Sequence, residues 1–343
     1  AQAGCYPSLA KATRTWFPAK TRTIVQGLIA SFFGRGGGAM ASIVLSSFLM
    51  GLCGLSWRSS LVVMAGAGVA FAGVFLWFFR NSPEDDELAN EAERQLIREG
   101  QSDSAEAPPV LPLSKAIRNP SLLAFIVQQF MNAGADMIYG LHLGSYLRNH
   151  YGIEDNVKFG LLLSLPLWGG ACGGIAGGFI NDGLIQLTGN RRWSRTAVGF
   201  TGKFLACFFL YAAATAGDPV HASWLLFATK FFSDWTQPTV WGASTDMGGR
   251  YSGTVFSVIN SSGSLAGFVV PILGGVLLDQ YITEKVVDGE VVKVTQYEPV
   301  FLLVGVMYLL SALCWFFINC TNSLDPGESS TGESDEPSVE PDA

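Results

Sequence analysis

The sequence predicts an all-α membrane protein, and three observations carry that expectation. Of 343 residues, 49% are hydrophobic and only 14% charged, against about a quarter charged in soluble domains. Eight apolar stretches reach bilayer length, for which about 20 residues suffice. They run roughly 23–53, 57–79, 121–147, 157–181, 197–216, 221–246, 252–279 and 298–319. Lys and Arg are concentrated in every second connection between these stretches, the asymmetry that orients a membrane protein.

The chain begins at Ala1 with small apolar residues and no charged leader region. That start reads as an entry into the middle of a helix, so an N-terminally incomplete chain is expected. Residues 1–79 then hold the end of one helix and two full spans. Residues 80–120 are a charged interruption. Within it Ser82-Pro83-Glu84-Asp85 has the make-up of a helix start, with a capping hydroxyl, proline at the first helical position and acids at the positive end of the dipole. Gly100 is the expected stop, and Leu88, Ala92 and Leu96 fall on one helical face. Six further spans occupy 121–320. Residues 321–343 are an acidic tail of disordered composition.

Several spans are rich in glycine, at Gly34 to Gly38, Gly169 to Gly178 and Gly263 to Gly275. In lipid, small residues let helix backbones approach closely. Lys11, Arg14, Lys20, Arg22, Arg80, Arg94, Arg98, Lys115, Arg118, Arg191, Arg192, Arg195 and Arg250 lie on one set of loops. The alternate loops hold Arg58, Arg148, Lys158, Lys285 and Lys293. The bias places the central loop and the C-terminus in the cytoplasm of a multi-pass plasma (inner) membrane protein.

The net charge of −7 comes from acids in the central loop and tail, and there is no basic patch to suggest a nucleic-acid partner. None of the six cysteines forms a CxxC pair, so they read as small packing residues. Gly34-Arg35-Gly36-Gly37-Gly38-Ala39 matches a dinucleotide fingerprint, but it sits inside a span with no strand before it and fails the context test. His142, His150 and His221 are too scattered to hold a metal. With no nucleophile elbow or phosphate loop either, the chain reads as no enzyme, without cofactor or metal.

The informative residues are charges inside spans. A charge at the bilayer centre costs at least about 2.5–3.5 kcal/mol on insertion scales, so it normally faces a cavity or a partner. Arg35 is such a residue, with glycines clearing space around it; it either contacts substrate or tethers helix-end carbonyls. Lys230 and Asp234, at i and i+4, form either a self-neutralising intrahelical pair or part of a charge network. Asp136 either pairs with Arg35 or carries an exchangeable proton or cation. Asp182, followed by Arg191, Arg192 and Arg195, places an acid at a helix end beside an arginine cluster. That is either a conformational latch or a plain positive-inside anchor.

Ala3-Gly4-Cys5-Tyr6-Pro7 followed by Trp16-Phe17-Pro18 and Arg22, then Trp57-Arg58, Ser164-Leu165-Pro166, the Gly178 to Arg195 loop, and Asn260 with Gly263 and Pro271 occur in a characteristic order. That order resembles the anion:cation symporter family of the major facilitator superfamily, which includes hexuronate, galactonate and glucarate carriers and sialin-like carriers. The resemblance covers essentially all the spans. It implies a major facilitator fold of two six-helix bundles working by alternating access, with the first three and a half helices missing here. It also implies a small organic anion as cargo, such as a hexuronate or aldonate, co-transport of a proton or sodium, and a monomer.

Arg35, Tyr139, Asn260 and its neighbour Ser261 are the substrate-contact candidates under that resemblance. Gln2 stands where the family has an acidic residue tied to proton coupling, and an amide does not titrate. Asp136 or Asp234 is then the remaining coupling candidate. A phosphate-ester or inorganic-anion exchanger, or a non-transporting sensor on the same fold, are the alternative functions. A chain lacking its first helices is expected not to transport alone.

Overall fold

The computed structural model describes residues 12–13, 15–18, 25, 28–86, 88–98, 118–287, 290–322 and 324. Gln2 and the acidic tail beyond residue 324 lie outside them. The first described membrane helix has a short α-helical centre, α1 (Gly34–Ser42), between wider π-helical turns at Leu28–Phe33 and Ile43–Leu52. Four glycines lower the helix propensity of α1, yet Gly34 to Ala39 is helical throughout. After the turn at Gly54, α2 (Trp57–Phe78) opens on Ser56, whose Oγ accepts from the Ser59 amide at 3.2 Å. The apolar surface of α2, including Val62, Leu76 and Trp77, is exposed.

The central loop corrects the expected helix start. Ser82 donates to Asp85 Oδ2 at 3.0 Å instead of capping, and Pro83–Asp85 makes one 3-10 turn that ends there. The helix proper, α3 (Glu91–Arg98), begins at Asn90, whose Oδ1 accepts from the Glu93 amide at 2.8 Å. Ile97 on it and Ala89 just before it are buried, while Leu88, Ala92 and Leu96 are exposed.

The long helices α4 (Pro120–Tyr151), α5 (Asn156–Thr188) and α6 (Arg191–Ala214) follow. The stretch expected as one span over 221–246 is two helices, α7 (Pro219–Asp234) and α8 (Gln237–Gly248). Pro238 explains the break. It has no N–H for the carbonyl of Asp234, and its ring crowds that turn. Next come α9 (Ser252–Gln280), strands β1 (Ile282–Val287) and β2 (Glu290–Thr295), and α10 (Glu298–Cys314). The strands pair antiparallel from Ile282↔Thr295 to Val287↔Glu290. This hairpin was not expected from the apolar pattern.

Five described helices are long and apolar enough to cross a membrane: Gly34–Leu52, α2, α5, α6 and α9. Gln128, Gln129, Asn132 and Asp136 hold α4 below that level of apolarity, and α7, α8 and α10 are shorter.

By contacts the chain divides into two compact units. The first comprises Ala1–Glu106, Leu143–Ile175 and Thr215–Asp234. Within it, Ser47 Oγ donates to the Val157 carbonyl at 2.9 Å, and Gly160 lies directly against Ser46 and Ser47. Arg148 stacks 4.1 Å over the Phe159 ring and donates to Asn156 Oδ1 at 2.6 Å.

The second unit comprises Ala107–His142, Ala176–Ala214 and Trp235–Ala343. Its apolar core gathers Leu122, Phe125, Val240, Met247, Ile259 and Trp315. Gly199 lets α6 close on the ring of Trp315, and Gly202 admits the ring of Trp235, whose Nε1 donates to the Val198 carbonyl at 3.0 Å.

Candidate functional site

Within the first unit, α1 and α7 bring three charges together. Arg35 Nε lies 2.9 Å from Asp234 Oδ2, and Arg35 Nη2 donates to Asp234 Oδ1 at 3.5 Å. Lys230 Nζ donates to the same Oδ1 at 3.0 Å. The sequence leaves the Lys230–Asp234 pair open between self-neutralisation and network; the structure adds Arg35 and makes it a triad. Asp234 and Lys230 side chains are 3% and 2% exposed, whereas Arg35 is 33% exposed. The arginine is therefore the accessible member.

Glycines on α5 make this arrangement possible. Gly169 and Gly173 sit against the backbone carbonyls of Phe227 and Phe231, with no room for a Cβ. Between them, Gly170 faces the Asp234 carboxylate and the Arg35 side chain. Any larger residue there would occupy the carboxylate's place. Gly36 makes similar room for Trp168, whose ring is 3.4 Å from where a Cβ would stand.

The second unit holds the other expected residues. Asp136 accepts from Oη of Tyr308, on α10, at 3.2 Å. The stripe Gln128, Asn132, Asp136, spaced by one helical turn each, continues this polar seam. Gln128 donates to Ser311 Oγ at 3.2 Å, and Asn132 accepts from Lys203. Lys203 is fully buried, and its ammonium lies 5.5 Å from the centre of the Tyr308 ring. Sequence reasoning missed Lys203, although it meets the same criterion as Lys230: a lysine inside an apolar span. Tyr139 is buried in α4, while Asn260 and Ser261 on α9 are exposed.

The arginine cluster does not use the acid that its spacing suggested. Arg195 Nη1 lies 2.6 Å from Asp246 Oδ2, with Arg191 3.9 Å from the same oxygen. Asp182 instead accepts from Asn181 at 3.1 Å, and Asn181 in turn accepts from Thr239 at 3.2 Å. Arg192 stacks 5.2 Å over the ring of Trp193. Asp246 was overlooked because it lies far along the chain from the arginines. Gly242, one turn before it, leaves room for the Arg195 guanidinium.

Cys320 lies beside this pair. Burial pushes its thiol above the usual range; the positive charge of Arg195 opposes the shift and Asp246 adds to it. The described cysteines 53, 172, 207, 314 and 320 are all free. Among the described residues, no group of three His, Cys, Asp or Glu could hold a metal ion.

Residues 1–271 match the family model described as Major Facilitator Superfamily. A protein of Cupriavidus necator named as a probable sulfoacetate transporter is 27% identical, over 97% of this chain and 73% of its own length. The chloroplastic sodium-dependent phosphate transport protein 1 of Arabidopsis thaliana is 24% identical, over 90% of this chain and 56% of its own. A probable galactarate/D-glucarate transporter of Escherichia coli is 23% identical, over 92% and 69%. The chain thus spans 56% to 73% of the length of these relatives. A family match over most of the chain, five helices of bilayer length and relatives named as transporters rather than enzymes lead to one assignment: this is a multi-pass membrane protein that belongs to the Major Facilitator Superfamily.

Proposed function

We propose that the protein is a secondary carrier for a small organic anion bearing a carboxylate or sulfonate, and that Arg35 meets the anion. The observation that carries this is an arginine side chain one-third exposed within an apolar helix, where a charge persists only with a partner or a cavity to face. A planar guanidinium suits these heads because its N–H fork matches two oxygens at once. The relatives named for sulfoacetate and for galactarate and glucarate support this cargo class. Tyr139, Asn260 and Ser261 are proposed to hydrogen-bond the anion on its path. Asp136 or Asp234 is proposed to couple the movement to a proton or sodium ion. The carrier works by alternating access in the inner membrane, with residues 80–119 and the C-terminus in the cytoplasm.

The test is uptake of radiolabelled sulfoacetate and D-glucarate into proteoliposomes holding the intact protein, with and without an imposed proton gradient. Uptake of either is expected, and Arg35→Gln should lower it about a hundred-fold, the scale of losing one charge-assisted ion pair of roughly 3 kcal/mol. Unchanged uptake by Arg35→Gln would overturn the role of Arg35. A second reading, exchange of inorganic phosphate, is favoured by the likeness to the phosphate transport protein. It predicts phosphate counterflow and no uptake of either organic acid.

A further inference from the structure

The triad contains two cations and one anion, and its anion sits where a cargo carboxylate would sit. We infer that Asp234 is an internal competitor: it holds Arg35 while the carrier is empty and yields it to the anionic head of the cargo. This rests on the proposed contact between Arg35 and the transported anion.

Three observations carry it. First, Asp234 takes the Nε and Nη2 edge of the guanidinium, at 2.9 and 3.5 Å, an edge on which a carboxylate or sulfonate head docks. Second, Asp234 does not depend on Arg35 for its neutrality. Lys230, one turn earlier on the same helix, donates to Oδ1 at 3.0 Å and is as buried as its partner. When Arg35 turns to the cargo, Asp234 and Lys230 remain a neutral pair, so no buried carboxylate is left bare, a state that costs several kcal/mol. Third, Gly170 leaves the carboxylate its space, since a Cβ there would run into Asp234 Oδ2.

Arg35 and Lys230 both contact the one carboxylate of Asp234, so an anionic head that takes Arg35 leaves Asp234 with a cationic partner. A competitor inside the site lowers apparent affinity by the fraction of time that it holds the arginine. In return it fills the guanidinium's hydrogen bonds when cargo leaves, which speeds release. Asp234 is thus a positioning residue that acts through Arg35.

The experiment compares Asp234→Asn with the wild type in proteoliposomes, using whichever of sulfoacetate or D-glucarate is taken up. Loss of the competitor is expected to lower KM about ten-fold and to lower the maximal rate with it, because the anion is then held without a rival. Asp234→Glu should restore both in part.

Lys230 loses its partner in Asp234→Asn, so folding is checked by gel filtration. Lys230→Met/Asp234→Asn, which leaves no unpaired buried charge, supplies the second variant and should show the same low KM. KM unchanged or raised in folded protein of both variants would overturn the inference while leaving Arg35 as the contact. Unchanged uptake by Arg35→Gln, or uptake of neither acid, would overturn the contact and the inference together.

Discussion

At the scale of single residues, charges in an apolar chain are legible because so few are tolerated. Arg35, Lys230 and Asp234 stood out by position alone, and the structure joins them. Their partners were not legible, since pairing depends on which helix faces which. Asp136 accepts from Tyr308, a tyrosine far along the chain, and Arg195 meets Asp246 rather than Asp182. Lys203 shows the opposite failure, a signal present in the sequence and passed over. One prediction belongs here. Burial raises the thiol of Cys320 despite the nearby arginine, and a raised thiol holds less thiolate at neutral pH. Alkylation of Cys320 in folded protein should therefore be slower at pH 7 than that of a free cysteine and climb only above the usual thiol range. Peptide mapping after timed iodoacetamide treatment would show it, and labelling as fast as denatured protein at pH 7 would contradict it.

At the scale of elements, hydrophobic runs located helices but not their breaks. Ser82-Pro83 looks like a better start than Asn90, yet Ser82 spends its hydroxyl on Asp85 and Asn90 caps the helix. The 221–246 run is apolar on both sides of Pro238, so hydropathy joins what a missing N–H divides. Asp288-Gly289 between two β-branched stretches is a hairpin signal that a search for membrane helices ignores.

The glycines of α5 give a sharp element-level test. Gly173 abuts a backbone carbonyl of α7, whereas Gly183 on the same helix has open space. Gly173→Ala should destabilise by about 1–3 kcal/mol, the range for overpacking with no flexible neighbour to give way. Gly183→Ala should stay within about 0.5 kcal/mol of the wild type. Thermal unfolding in detergent compares the two, and equal midpoints would refute the close approach of α5 and α7.

At the scale of the whole molecule, the class of protein was legible before any coordinate, because a bilayer imposes length and composition on every helix it contains. Cargo identity was not, since under the proposed contact a guanidinium would read an anionic head and not the rest of the molecule. Orientation rests on the distribution of Lys and Arg and can be tested directly. Glu84 is exposed in the central loop. In Glu84→Cys, a membrane-impermeant maleimide should label position 84 only after the cells are permeabilised. Labelling in intact cells would invert the topology.

The hairpin after α9 has a practical consequence. Its six register pairs are closed at the base by the Gln296 amide donating to the Tyr281 carbonyl at 3.1 Å. Carriers built mostly of lipid-covered helices offer electron microscopy little mass by which to align images. An epitope grafted in place of Asp288-Gly289 would hang from paired strands instead of a loose loop. An antibody fragment bound there would serve as a fiducial for imaging the protein.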